Sequence, residues 1–414
     1  MSEIGFQEQL DLHYRLEAPQ DPLEKVRAKA WGHFLELGLP SRQQEVYRYI
    51  KLRALYEMAF VASRPTTLTP DQLPKLSGSY LIFINGHYQP ALSHLENIPA
   101  RAVISPLNEA MGTYGAFLNN HWSKSIKEET DPFAILNAAL HREGVFIYLP
   151  PNTLIENPIK IVNIVDTRGE SMMCHPRIHL FAGANSEIDL ISSHHTVSGE
   201  NYFVNLVVEV MVEDGAHVNY IQHNTPGSSK SWLFDAMRVT MKRNSVFKTV
   251  MTTKGSTTVR TDYKVALLGE NGEVELNGIW QLDGNDESHT NILIDHQAPH
   301  CRSMQLYKGV LRGISQSSFE GKILVRQLAQ KTDAFQLNNN LLLSDRANAD
   351  SKPNLEIFAD DVKASHGATV GQLDSEQLFY MKSRGFSENE AKEILVEAFI
   401  REVLEKIPAK DRWG

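Results

Sequence analysis

Four donor side chains lie close together in the middle of the chain: His289, His296, His300 and Cys301, at spacings of seven, four and one. Imidazole nitrogen and thiolate sulfur are ligands that zinc takes, so this grouping is the first to weigh as a metal site. A spacing of four puts His296 and His300 on one face only if the segment is helical, and Pro299 with its strand-like flanks argues otherwise. The simpler reading makes Cys301 a buried thiol that packs as a small apolar group. A second pair, Asp360 and Asp361, offers two carboxylates of the kind that cleave glycosidic bonds. Neighbours on a strand point to opposite faces and cannot reach one bond, so capping a turn is the favoured role of that pair. The sequence has no GxxxxGK[ST] phosphate loop, GxSxG elbow or HExxH helix, and Gly321-Lys322 runs into Ile323 without the leading glycine. The expectation is a chain that does not hydrolyse ATP and is not itself an enzyme.

The elements that must hold these residues fall into three stretches: a mostly helical region with a short hairpin over 1–143, a strand-rich core over 144–350, and a C-terminal segment over 351–414. Helical spacing runs from Asp21 to Leu39 and from Ser41 to about Tyr56. YLIFINGHYQPAL reads as a hairpin turning at Asn85-Gly86. Helices follow from Pro106 to Leu118 and from Asp131 to His141, the latter with an Asp131 cap and Pro132 at its first position. From Gly144 onward short alternating strands recur, with turn residues at Gly183, Gly215, Asn244 and Gly272. Their intervals are 32, 29 and 28 residues. That period marks a β-solenoid, whose coils share one interior because none can bury its apolar face alone. A β-sandwich would give similar alternation. The run Asn338, Asn339, Asn340 is either a turn or an amide ladder inside a coil. From Asp374 the pattern is helical again, with capping signals at Asp374–Gln377 and Ser387–Glu390 and a stop at Gly385. The last helix, Glu388 to Ile407, carries Ala391, Ile394, Leu395, Ala398, Phe399, Val403 and Ile407 toward one side.

Bulk composition agrees with an ordinary folded protein. Of 414 residues, 42% are hydrophobic, and 41 basic against 50 acidic residues leave a formal net charge of −9, which speaks against a nucleic-acid partner. Two cysteines fit neither a disulfide framework nor a CxxC module, so a reducing, cytoplasmic compartment is expected. The first residues do not read as a secretion signal, and no apolar run is long enough for a membrane span. A secreted solenoid enzyme acting on polysaccharide, and a histidine-based metal carrier, are the competing readings.

The C-terminal third contains KGVLRG, FEGKI, AQKTDA, NNNLLLS, KPNLEI, ADDVKASHGAT, LDSEQLFY and SRGF in that order. LGLPSRQQEVYRY and DPFAILNAALHREGVFIYLPP precede them. Together these motifs closely resemble the SufB/SufD family of iron–sulfur cluster assembly scaffold proteins, along nearly the whole chain. The resemblance implies a mainly β fold, a right-handed parallel β-helix between N- and C-terminal helical domains. It also implies a non-catalytic scaffold of the SufBCD complex that pairs with SufB as a heterodimer and docks the ATPase SufC through its C-terminal helices. Whether the isolated chain forms a homodimer stays open. Few cysteines, and Ala364 at the place in ADDVKASHGAT where a cysteine is common in the family, favour the SufD-like branch. Alanine cannot hold iron. The remaining donor, His366, matches a histidine that faces the assembly site. It either contributes one ligand to a transient cluster shared with SufB, as imidazole does in Rieske centres, or hydrogen-bonds within a turn before Gly367. No cofactor is expected on the chain alone. Tyr380, Met381, Arg384, Gly385 and Phe386, at the tip of the helical hairpin, are the expected SufC contacts.

Overall fold

The computed structural model describes residues 5–16, 22–197, 199–225, 228–408 and 411. The predicted starting point of the first long helix, Asp21, and the first four residues lie outside that set. The helix itself is present as Glu24–Leu37, ending in Gly38 at φ 68°. The stretch from Ser41 to Tyr56 is not one helix. It breaks into a 3₁₀ turn, Glu45–Tyr47, and a short helix, Leu52–Tyr56. Asp131 caps the helix Pro132–Leu140 by accepting the Ala134 N–H at 2.9 Å. The helix expected to stop at Leu118 runs from Leu107 to Glu128, because Leu118, Trp122 and Ile126 continue its buried face at four-residue spacing.

From Gly144 to Gly371 the chain winds through about eight turns of a parallel β-solenoid. Each turn gives one strand to each of two sheets. The first sheet ends with Glu287–His296, Gln316–Val325 and Asn348–Ile357, and the second with Arg302–Leu311, Asp333–Leu342 and Lys363–Gly371. Register is continuous from coil to coil: His217 pairs with Val246, Val246 with Glu273, Glu273 with Arg302, and Arg302 with Asp333. Alternate residues point inward, and Leu233, Tyr263, Ile292, Leu276 and Tyr307 join one continuous apolar core. Two members of the Asn run, Asn338 and Asn340, belong to this interior, while Asn339 faces outward and accepts from Thr369. Asn340 donates to Asn338 at 2.8 Å, and Gln336 one step earlier donates to Gln305 of the preceding coil at 3.1 Å.

One corner of each coil but the last is closed by a residue in the left-handed region: Asn152, Asn185, Gly215, Asn244, Asn271, His300 and Lys331, at φ between 56° and 68°. Each donates its backbone N–H to a carbonyl in the corner of the next coil, at 2.6–3.3 Å. Asparagine tolerates this conformation, and two pairs also bond side chain to side chain, Asn185 to Asn152 and Asn271 to Asn244. The predicted period is right, but two of its markers shift by a residue or two. Asn185 and Asn271 carry the positive φ, not Gly183 and Gly272.

The boundary expected at 350 moves to 371. Asn348–Ile357 and Lys363–Gly371 form the last coil, and its side chains are polar because no further coil covers them. At the other end the stack is joined by N-terminal elements. Tyr80–Ile84, half of the predicted hairpin, pairs with Ile159–Val165, and Val103–Pro106 pairs with Gly144–Leu149. No described helix is long and apolar enough to cross a membrane.

Candidate functional site

The end of the solenoid opposite the N-terminal strands leaves both sheets with an edge strand. Asn348–Ile357 and Lys363–Gly371 have a pairing partner on one side only among the described residues. The backbone N–H and C=O groups on their outer sides form a ready template for another strand. His366 sits in register with Gln336, whose side chain is buried in the interior. It therefore lies on the inward-facing side of the last strand, where the absence of a further coil leaves it exposed. It is in a strand and not in a tight turn, which removes the simpler reading given above. Ala364, two residues earlier on the same side, packs against the small apolar cluster of Ile323, Val325, Ala329, Ala334 and Ala359. Asp360 and Asp361 fall in the turn between the two strands. The Asp361 carboxylate pairs with Lys331, and its N–H donates to Gln330 at 3.0 Å. The pair closes a corner, as expected.

The C-terminal hairpin consists of the helices Ser375–Ser383 and Glu388–Leu404, separated by Gly385 at φ 97°. Both predicted caps form: Asp374 accepts the Glu376 and Gln377 N–H groups, and Ser387 with Glu390 forms a reciprocal box. The longer helix lies on the second sheet. Val396, Ile400, Val403 and Ile407 pack against Val250, Ile279, Leu306, Val310 and Leu341. Lys308 reaches out of the sheet to donate to the Phe399 carbonyl and the Glu402 carboxylate, and Arg312 pairs with Glu393. The buried stripe thus differs from the expected one, and Ile394 faces solvent. The shorter helix buries nothing fully. Phe379 is 73% exposed, Tyr380 55% and Phe386 41%. Arg384 stacks on the Tyr380 ring at 5.1 Å and donates to its hydroxyl at 2.9 Å. Met381 is half-buried. Phe379 was not singled out from the sequence, although its place beside Tyr380 was a signal.

The histidine–cysteine grouping does not converge. His289 faces outward from its strand, bonded to Ser318 at 2.8 Å and Glu287 at 3.2 Å. His296, seven residues on, faces inward and bonds Ser303 at 2.9 Å. His300 is a corner residue of the left-handed column. The buried Cys301 thiol donates to the Gly269 carbonyl, and burial pushes its pKa up. An odd separation along a strand puts side chains on opposite faces of the sheet, so the zinc reading fails.

The family described as SUF system FeS cluster assembly, SufBD core domain, matches residues 164–399, and the SufBD protein N-terminal region matches residues 14–161. The chain belongs to the SufBD family. It is similar to a Synechocystis iron–sulfur cluster assembly SufBD family protein, 29% identical over 391 residues covering 91% of this chain and 86% of that one. It is 28% identical to Escherichia coli iron–sulfur cluster assembly protein SufD, over 95% of this chain and 92% of the relative. A Mycobacterium tuberculosis SufBD family protein is 30% identical over 67% of this chain and 70% of its own length. This SufBD protein is accordingly a member of the SUF system of iron–sulfur cluster assembly, in a family of scaffold proteins.

Sequence reasoning missed a charge network beneath the N-terminal helices of this SufBD protein. The outer face of the first sheet presents Arg238, Arg260, Asp262 and Lys264, and the helices bring Glu129 and Asp131 onto them. Arg260 donates to Asp131 and stacks over the Tyr47 ring at 4.5 Å, while the Tyr47 hydroxyl donates to the same carboxylate at 2.6 Å. Glu129 accepts from Arg238 and Lys264. Burial alone would raise its carboxyl, but the two cations outweigh that and hold it at about 2. One coil earlier, Glu209 takes Arg177, His179 and His121. Two imidazoles and a carboxylate this close could suit a metal ion. The hydrogen bonds exclude it: His179 Nε2 accepts from Trp122 Nε1 and Arg177 Nε, so its proton sits on Nδ1, the atom that faces Glu209. Charged residues alternating along strands of an otherwise apolar core were the available signal.

Proposed function

We propose that this SufBD protein is a SufD-like, non-catalytic subunit of a SufBCD-type complex, pairing with SufB through its free end strands and docking SufC through the tip of its C-terminal hairpin. The observation that carries the reading is the unpaired end of the coil stack. Two parallel edge strands stand open there, while the opposite end is occupied by the chain's own N-terminal strands. Edge pairing supplies backbone hydrogen bonds, and the exposed Phe358 and Val370 add apolar area. The iron–sulfur cluster is cargo in this scheme. His366, exposed at the open mouth, supplies one imidazole nitrogen toward it, and Ala364 supplies nothing.

Co-expression with SufB and SufC tests the proposal. The three chains should co-purify at fixed stoichiometry, and the isolated chain should show no ATP hydrolysis. Removing everything from Asp374 would also uncover the sheet face that Ile400 and Val403 seal, so substitution at the tip is the sharper probe. Phe379→Ala with Tyr380→Ala should weaken SufC retention with little change in melting temperature, since neither ring is buried. His366→Ala should keep both partners and lower the cluster absorbance that builds up on reconstitution. Full retention of SufC by the tip variant, or undiminished cluster in the His366 variant, removes the corresponding assignment.

A further inference from the structure

Between the outer face of the first sheet and the helices Leu107–Glu128 and Pro132–Leu140 lies a cavity of about 230 Å³. The scaffold reading makes no use of it. The space is a cleft about half open to solvent, and its apolar walls gain by being covered. Its walls are apolar, formed by Ile126, Ile135, Ala138, Val207, Ala266 and Leu293. The cations at its margin are already matched: Arg177 with Glu209, Arg238 with Glu129 and Asp262, Lys264 with Glu129, and Arg326 with Asp295, while the exposed Glu128 makes no ion pair among the described residues. An anionic guest would have to break one of these pairs. One donor remains: the Lys264 ammonium uses two of its three N–H groups, on Glu129 and Thr130.

We propose that this cavity is a small-molecule pocket for a neutral aromatic or heteroaromatic guest of two fused rings carrying a hydrogen-bond acceptor. Size sets the first limit. A dry cavity of ~150 Å³ holds benzene, so this one takes about ten heavy atoms and is too small for three fused rings. The committed cations and the unpaired Glu128 stand against an anion, the Lys264 ammonium stands against a cation, and its spare N–H calls for an acceptor. Because the guest touches the sheet on one side and both helices on the other, its binding tightens the attachment of the helical layer to the solenoid.

The test uses the full chain and coumarin, a neutral two-ring lactone, as probe. Titration followed by calorimetry should give saturable one-to-one binding. Ala266→Trp, which projects an indole into the cavity, should weaken binding at least tenfold, with Leu293→Trp as a second filling variant should the first not fold. Lys264→Met should weaken coumarin several-fold and leave naphthalene, which has no acceptor, unchanged. 2-Naphthoate should bind at least tenfold more weakly than coumarin. Amide exchange in the wild-type chain should slow over 107–128 and 132–140 when coumarin is present. Absence of saturable binding, coumarin affinity unaltered by a folded filling variant, or exchange protection elsewhere than these helices would each overturn the assignment.

Discussion

Asp235→Asn should flatten the fall of stability with rising pH. Asp235 lies between Leu233 and Met237 on the inner face of its strand, inside the solenoid, and is 2% exposed. Its two oxygens make no hydrogen bond of good geometry to a described residue, only a weak approach from the Asn224 amide, and His194 Nε2 is 4.0 Å away. Burial pushes its carboxyl up from 3.8 to about 7, the nearby Asn224 amide offsetting only part of this. Burial also lowers His194 to about 3, with a smaller push from His195, so that ring is neutral and supplies no counter-charge. Tyr220 and Tyr263, the other ionisable groups near the carboxyl, are held protonated by burial. The sign follows from proton binding. Below pH 3.8 the carboxyl is protonated in both folded and unfolded chains and has no effect. Between 3.8 and about 7 the unfolded chain ionises while the folded one does not, so stability falls with rising pH and levels off above 7. At about 1.4 kcal/mol per unit the whole loss is about 4 kcal/mol, of which about 2 kcal/mol falls between pH 5.5 and 8.5. Unfolding in urea at a series of pH values measures it. The wild type should lose about 2 kcal/mol more than the Asn variant over that interval, equivalent to roughly 2 °C in melting temperature for a chain this long. The comparison of slopes cancels any constant cost of burying the amide. Parallel pH profiles for the two proteins would refute the reasoning.

Arg260→Met should destabilise by about 3–5 kcal/mol in urea unfolding, because it strands the buried Asp131 carboxylate; adding Asp131→Asn should recover part of the loss. Asn244→Ala, at a left-handed corner, should cost about 1–2 kcal/mol, while Asn244→Gly should stay close to wild type, both read by thermal melting. Ile400→Ala empties a buried site between the last helix and the second sheet and should cost about 2–5 kcal/mol, with faster amide exchange in 388–404 as its signature.

The coil period was legible because each turn needs one residue that tolerates positive φ, and asparagine and glycine advertise such places. The helix caps at Asp131 and Ser387 were legible for a similar reason: capping is settled within four residues. The final coil was misjudged as linker because its strands, Asn348–Ile357 and Lys363–Gly371, lack the apolar alternation of their neighbours. Alternation reports burial, and no described residue lies beyond them to bury their inner side. His366 was found through the motif around it, but its exposure at an open mouth follows from its register with Gln336. The helix Leu107–Glu128 was cut short because its second half buries only Trp122 and Ile126 amid polar residues.

Local chemistry in the chain determined the repeating strands, the corners, the capped helices and the family motifs, since each depends on residues close in sequence. What touches what between distant parts of the chain was decided only by folding. Arg260 meets Asp131, Lys308 meets Glu402 and Lys264 meets Glu129 because layers far apart in the chain are stacked, and no spacing rule anticipates those pairs. The same stacking parted His289 from His296, which the sequence sets seven residues apart, and left two strands with one free edge each among the described residues. An edge is a property of the finished sheet: a strand carries the same backbone groups wherever it lies, and only its position in the stack leaves one side of them unbonded.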